Sequence, residues 1–349
     1  DRAIGRKGKL TAALFLLGTS TVAMGLVPSY DTLGWWAIGI MAVLRIGQGL
    51  ALGGTWDGLP SLLALSVNRE KRGFYAMIPQ LGAPIGLAVA ALLYAYLLIN
   101  VSAEEFVDWG WRYPFFVAFA INVVALFARL RIVASPEFDE MLNSSELRPS
   151  RIRPTLRQDG RTMLLGIFMP LASFAMFHMV TIFPLSWRYL YSDNPPEAVL
   201  YSLLWGSLAG LLSIIASGYI ADALGRRRLL MLGAVGIGVF AILGPLLLAA
   251  GREGATIYIV LGFTLLGLSF GQSSGVIASL FGKRNRYTAS ALVASLSWMI
   301  GAGFAPLTAL SMSSALGLWA AGIYLGSGVI CTVVAIQMSR RGDMEITDE

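Results

Sequence analysis

Gly218-Tyr219-Ile220-Ala221-Asp222-Ala223-Leu224-Gly225-Arg226-Arg227-Arg228 decides how this chain is read. An acid, a turn glycine and a basic run follow one another here, between two stretches apolar enough to cross a membrane. The opening residues, Asp1-Arg2-Ala3-Ile4-Gly5-Arg6-Lys7, state the same pattern ahead of another apolar stretch, with one more residue between acid and glycine. A charged turn used twice in one polytopic chain implies two related structural halves.

Runs of roughly 20 apolar residues recur along the chain, the length that crosses about 30 Å of hydrocarbon. About ten are expected by that criterion, centred near Leu17, Gly49, Val89, Val123, Met176, Leu212, Val239, Leu266, Met299 and Val329. They must be helices, because lipid offers no partner to an unpaired peptide group. A charged fraction of only 13% and a mean hydropathy of +0.69 agree. The expected fold class is an all-α integral membrane protein, multi-pass, with the lipid bilayer as its solvent.

Orientation follows the basic residues. All Lys and Arg except Arg45, Arg112, Arg188 and Arg252 fall in segments assignable to one side. The opposite segments carry Asp31, Glu104, Glu105, Asp108, Asp193, Glu197 and Glu253. The basic side is therefore expected to be cytoplasmic, with both chain ends on it, in a plasma membrane (a bacterial inner membrane). Topology accounts for the net charge of +6, which gives no support to nucleic acid as a partner. Cys331 is the only cysteine and His178 the only histidine, so cysteine clusters and histidine relays are excluded and neither cofactor nor metal is expected.

Four spans precede the polar stretch 134–160 and six follow it. That stretch, with Pro136, Pro149 and Pro154, reads as a linker between residues 1–133 and 161–349, and Ser135 is a plausible cap for a short surface helix within it. Aligning the two charged turns puts Asp1 after a second helix and Asp222 after an eighth, so two further helices are expected ahead of Asp1. Gly262, Gly267, Gly271 and Gly275 give one helix a small-residue face suited to close packing rather than ligand contact.

The pattern G-x-x-x-D-x-x-G-R-R at Gly218–Arg227 resembles the loop between helices eight and nine of major facilitator superfamily transporters, and the chain opening resembles the loop between helices two and three. Arg45-Ile46-Gly47-Gln48-Gly49-Leu50-Ala51-Leu52-Gly53-Gly54, Trp111-Arg112-Tyr113-Pro114-Phe115, Arg286-Tyr287-Thr288 and Gly301-Ala302-Gly303-Phe304-Ala305-Pro306 resemble the metabolite:H+ symporter family. The resemblance implies two six-helix bundles, residues 1–133 being helices three to six and residues 161–349 helices seven to twelve. It also implies a monomer whose partners are protons and a small polar metabolite, an organic acid or zwitterion, imported by alternating access. Thr55 stands where that family often has Glu, and Asp57 follows two residues later.

Arg45 lies about 15 Å along its helix from the Trp35-Trp36 pair, where a charge costs at least about 2.5 kcal/mol unless it faces the bundle interior or a wet cavity. It reads as an anion-binding or proton-coupling residue, against an interhelical ion pair, and Gln48 shares its face. Gln80, His178, Arg188 and Gln272 complete the expected substrate and proton pathway. For each a plainer reading stands beside the functional one: packing for His178, an interfacial anchor or outer gate for Arg188, interhelical hydrogen bonding for Gln80 and Gln272. Asp1, Arg2, Gly5, Arg6, Asp57, Asp222, Gly225, Arg226 and Arg227 are expected to form a cytoplasmic gate. Asp57 and His178 lack the clustered partners that acid–base or metal chemistry needs, so an enzyme is not expected. Proton-driven efflux and a non-transporting sensor or remnant are the alternatives.

Overall fold

The computed structural model describes residues 5–55, 67–68, 71–133, 149–191 and 196–340. Ten helical spans among them are long and apolar enough to cross a membrane, matching the expected number. The described residues contain no strand. The chain divides into two compact units, one of residues 1–59 and 93–149, the other of residues 60–92 and 150–349.

The first unit holds α1 (Gly5–Leu26), α2 (Trp35–Gly54), the end of α4 (Gly82–Asn100) and α5 (Tyr113–Val133). Small residues set the approach of α1 to its neighbours. A Cβ at Gly47 would lie 2.7 Å from Ser20 Oγ, and one at Gly54 2.7 Å from Ala13 Cβ. Arg112 donates to the carbonyls of Gly25 (3.0 Å) and Val27 (2.6 Å). Its cation thereby meets the unpaired carbonyls and negative dipole end of α1, while its guanidinium sits 4.6 Å from the Trp111 ring centre. Arg129 donates to the carbonyl of Thr55 at the end of α2. Between the spans, Ser102 and Glu105 form a capping box on the helix Ala103–Asp108. The Ser102 backbone N–H, then its hydroxyl, holds the Glu105 carboxyl below the usual range.

The second unit contains α3 (Arg72–Met77), a 3-10 turn (Ile78–Leu81) and the start of α4. It continues with α6 (Ile152–Phe168), α7 (Leu171–Tyr191), α8 (Pro196–Leu224), α9 (Arg226–Ala249) and α10 (Gly251–Phe270). After the short α11 (Ser273–Ser279) come α12 (Arg286–Trp298), a π-helical turn (Met299–Gly303), α13 (Ala305–Leu316) and α14 (Trp319–Arg340). Pro170 separates α6 from α7 because it cannot donate a backbone N–H. Thr332 of α14 fills the break, accepting from Ala172 N (2.9 Å) and donating to Phe168 O (3.2 Å).

The expected linker differs at its end. Helix α6 begins at Ile152, so residues 152–160 are helix, and Pro154 falls in the first turn, where its missing N–H costs nothing. This segment is tied down: Ser150 N donates to Thr288 Oγ1 (2.9 Å), and Asn285 Nδ2 donates to Gln158 Oε1 and Asp159 Oδ2. The short helix expected after Ser135 lies outside the described residues.

The glycines expected to form a packing face do pack. A Cβ at Gly267 would overlap Ser213 Oγ and lie 2.7 Å from Gly210 O, and one at Gly271 would overlap Ser217 Oγ. Gly262 meets Val180 and Phe240, and Gly275 meets Ala76. Helices α8 and α10 thus touch nearly backbone to backbone, the arrangement small residues permit in lipid.

Candidate functional site

The two charged turns share a backbone signature. Gly5 and Gly225, the turn glycines of the two copies, both have positive φ, +72° and +87°. A Cβ at either would meet nothing within 4 Å among the described residues, and the positive φ alone calls for glycine. Gly225 combines that φ with a ψ of 141°, a region open essentially to glycine. Gly225→Ala is expected to cost about 1–3 kcal/mol, read as a lower thermal midpoint of the purified protein. Asp1, Arg2 and Asp57 lie outside the described residues, as does the side chain of Arg6.

Asp222, from the second copy, grips the start of α3. Its Oδ1 accepts from Gly73 N at 2.6 Å and its Oδ2 from Phe74 N at 3.1 Å. The first N–H groups of a helix have no partner within it, and a carboxylate there also meets the positive end of the dipole. Gly73 lets the segment come this close: a Cβ on it would lie 2.7 Å from both Asp222 Oδ1 and Gly218 O. Gly218 reciprocates, its own Cβ position being 3.0 Å from Phe74 Cα. Asp222 also faces the charge of Arg226, whose Nη1 donates to Gly275 O at 3.2 Å. Arg227 donates to Ser339 Oγ at 2.8 Å.

Gln272, expected in a substrate pathway, belongs to this clasp. It is fully buried, and its Nε2 donates to Gly73 O (3.1 Å) and Ser217 Oγ (3.2 Å). Ser274 Oγ donates to Ala76 O at 3.3 Å, one turn further along α3. The physical reason is the glycine face: α8 and α10 approach so closely that a polar side chain just past α10 reaches across to α3. Gly73, Ser217 and Ser274 carried no signal in the sequence beyond the adjacency of Ser217 to Gly218.

In the first unit, Arg45 and Gln48 come together as their shared face requires. Arg45 Nη1 donates to Gln48 Oε1 at 3.3 Å, and Gln48 Nε2 donates to Thr21 Oγ1 of α1 at 2.9 Å. The Arg45 charge also acts on Tyr94 of α4, whose hydroxyl points to Trp111 O.

The remaining pathway residues are not gathered into one place. Gln80 is half-buried in the 3-10 turn. His178 is half-buried on α7, edge-on to Phe177, and its Nδ1 has no hydrogen-bond partner among the described residues. Phe174, Phe177, Phe270 and Trp298 cluster beside it, with Phe174 stacked on Trp298 at 4.6 Å. Arg188 is only 5% exposed, and its Nη1 donates to Gly251 O at 3.0 Å. It sits between α7, the start of α8 and the start of α10, beside Ser202, Arg252 and Ala255. There its hydrogen bond links α7 to the start of α10, a buried position rather than that of an exposed interfacial anchor.

Comparisons with known proteins agree with this geometry. The model of the Major Facilitator Superfamily matches residues 1–306. The chain is 31% identical over 342 residues to the inner membrane metabolite transport protein YhjE of Escherichia coli K12, covering 96% of this chain and 78% of that protein. It is 28% identical over 343 residues to the shikimate transporter of the same strain, covering 95% and 77%. The E. coli K12 proline/betaine transporter is 28% identical over 325 residues, covering 87% and 63%. Among solved structures, a D-xylose–proton symporter superposes with a TM-score of 0.69 at 17% identity, over 96% of this chain and 80% of that one, which speaks to the fold alone. With ten apolar spans among the described residues, a charged turn repeated in sequence with a positive-φ glycine in both copies, and a family match over most of its length, this chain belongs to the major facilitator superfamily and is a membrane transporter, not an enzyme.

Proposed function

We propose that the chain is a proton-coupled secondary transporter that imports a small organic acid or zwitterionic metabolite by alternating access. In this reading it acts as a monomer in the bacterial inner membrane, with its basic end in the cytoplasm. The observation that carries the reading is Arg45. Its guanidinium lies within the span Trp35–Gly54, and its only hydrogen bond among the described residues is the long one to Gln48. A charge kept at that depth with spare donors is suited to a carboxylate, which a guanidinium can bind in two parallel hydrogen bonds. Relatives named for shikimate and for proline and betaine support the substrate class, because all three compounds carry a carboxylate. The clasp at Asp222 supplies the second requirement, a contact whose making and breaking biases one conformational state over another.

The test is uptake into proteoliposomes under an imposed inward proton gradient, with shikimate, proline and betaine offered separately. Accumulation of at least one, collapsed by a protonophore, is expected. Arg45→Ala and Arg45→Lys are both expected to lose uptake at least about tenfold while inserting normally, since lysine cannot reproduce the bidentate geometry. Full uptake by the lysine variant would remove Arg45 from substrate binding. Gradient-driven export without uptake would replace import by efflux.

A further inference from the structure

Gln272 holds the clasp with one end of its amide and opposes it with the other. Its Nε2 makes the two bonds to Gly73 O and Ser217 Oγ, yet its Oε1 is buried with no hydrogen-bond partner among the described residues. Turning the amide over would not relieve this, since it would place Oε1 against Gly73 O, two acceptors about 3.1 Å apart. The orphaned oxygen is thus fixed by the very contact that closes the clasp.

Neither partner depends on Gln272. Gly73 O lies inside α3, where the helix supplies a donor four residues on. The Ser217 hydroxyl donates to Ile214 O at 2.7 Å. What Gln272 adds is therefore two neutral hydrogen bonds to groups already engaged, set against one buried acceptor that no described donor satisfies. The second effect outweighs the first, because the net gain from an intramolecular hydrogen bond is small and an unmade buried one loses the whole hydration of the group. Withdrawal of α3 would let water reach Oε1 and end the penalty.

We propose that Gln272 is a positioning residue that keeps the clasp weak enough to open: it aligns the Gly73–Phe74 peptide for Asp222 while its buried, unpartnered carbonyl oxygen destabilises the closed arrangement. This rests on the transport reading above for its meaning, but not for its measurement. Asp222 and Gln272 grip the peptide between Gly73 and Phe74 from opposite sides, Asp222 at the Phe74 N–H and Gln272 at the Gly73 C=O, and they act with opposite sign.

The experiment compares Gln272→Met and Gln272→Leu with the unsubstituted full chain, purified in detergent micelles, by hydrogen–deuterium exchange of the peptide covering residues 72–77. Both side chains fill much of the glutamine's volume without a polar atom. Exchange at Gly73 and Phe74 is expected to slow by about tenfold, the effect of removing one buried unpaired acceptor, and the thermal midpoint to rise. In proteoliposomes the same variants are expected to lower the external KM and the maximal rate together, the signature of a state held too long. Faster exchange, unchanged exchange, or a fall in thermal midpoint in both variants would overturn the proposal. A chain that transports nothing but shows slower exchange would sink the transport reading and leave the role of Gln272 standing.

Discussion

Gly267→Ala is expected to destabilise the second unit by about 3 kcal/mol or more, a large part of what holds a membrane bundle together. The added methyl overlaps Ser213 Oγ, which can rotate away, but it also lies 2.7 Å from the carbonyl of Gly210 and 3.1 Å from the amide of Ile214. Those are backbone atoms of α8, so relief requires the two helices to separate. Separation would in turn loosen Gly271 against Ser217, and with it the segment that carries Gln272. The control is Gly326→Ala on α14, where a Cβ would meet nothing within 4 Å. That variant should be unchanged or slightly more stable, alanine being the better helix former by about 1 kcal/mol. Thermal unfolding of the two purified variants, side by side, checks both. Equal midpoints would show that the α8–α10 contact tolerates more room than its geometry implies.

Asp222→Ala carries the second large effect. It removes the acceptor from the N–H groups of Gly73 and Phe74 and the negative charge that faces Arg226. Hydrogen bonds to a charged acceptor are worth about 1.5–3 kcal/mol each, so the closed clasp should lose at least a tenfold preference. Uptake should fall by tenfold or more, and exchange at residues 72–77 should accelerate. Asp222→Asn retains an acceptor oxygen but not the charge, and is expected to fall between the two. If Asp222→Ala transports normally, the clasp is a packing contact and not part of the transport cycle.

The spans were legible because lipid imposes a length and a composition that few other environments demand. The repeated turn was legible because an acid, a glycine and a basic run are rare together between apolar helices, and the positive φ at both Gly5 and Gly225 gives that repetition a physical basis. Other readings depended on neighbours that a single chain does not disclose. A polar group at membrane depth such as Gln272 suggests ligand contact, yet Gly73, nearly two hundred positions earlier in the sequence, is what it touches. The proximity of Arg188 to a helix end suggests an anchor or gate and says nothing about the Gly251 carbonyl waiting there. The prolines around the start of α6 suggest a linker, although proline in a first helical turn is compatible with the helix.

The π-helical turn at Met299–Gly303 governs how the whole run from Arg286 to Leu316 is phased. Ala289, Val293, Ser297, Gly301, Ala305, Ala309 and Ser313 are all buried, one at every fourth position. On an unbroken α-helix each four-residue step overshoots a full revolution by about 40°, so such a row would spiral from one side of the helix towards the other. A wider turn spends more residues on one revolution and cancels part of that drift at its midpoint. Deleting a single residue between Met299 and Gly303 would therefore act like a twist in a key: Ala305, Ala309 and Ser313 would rotate out of contact together, with every side chain beyond the deletion unchanged in identity and wrong in direction.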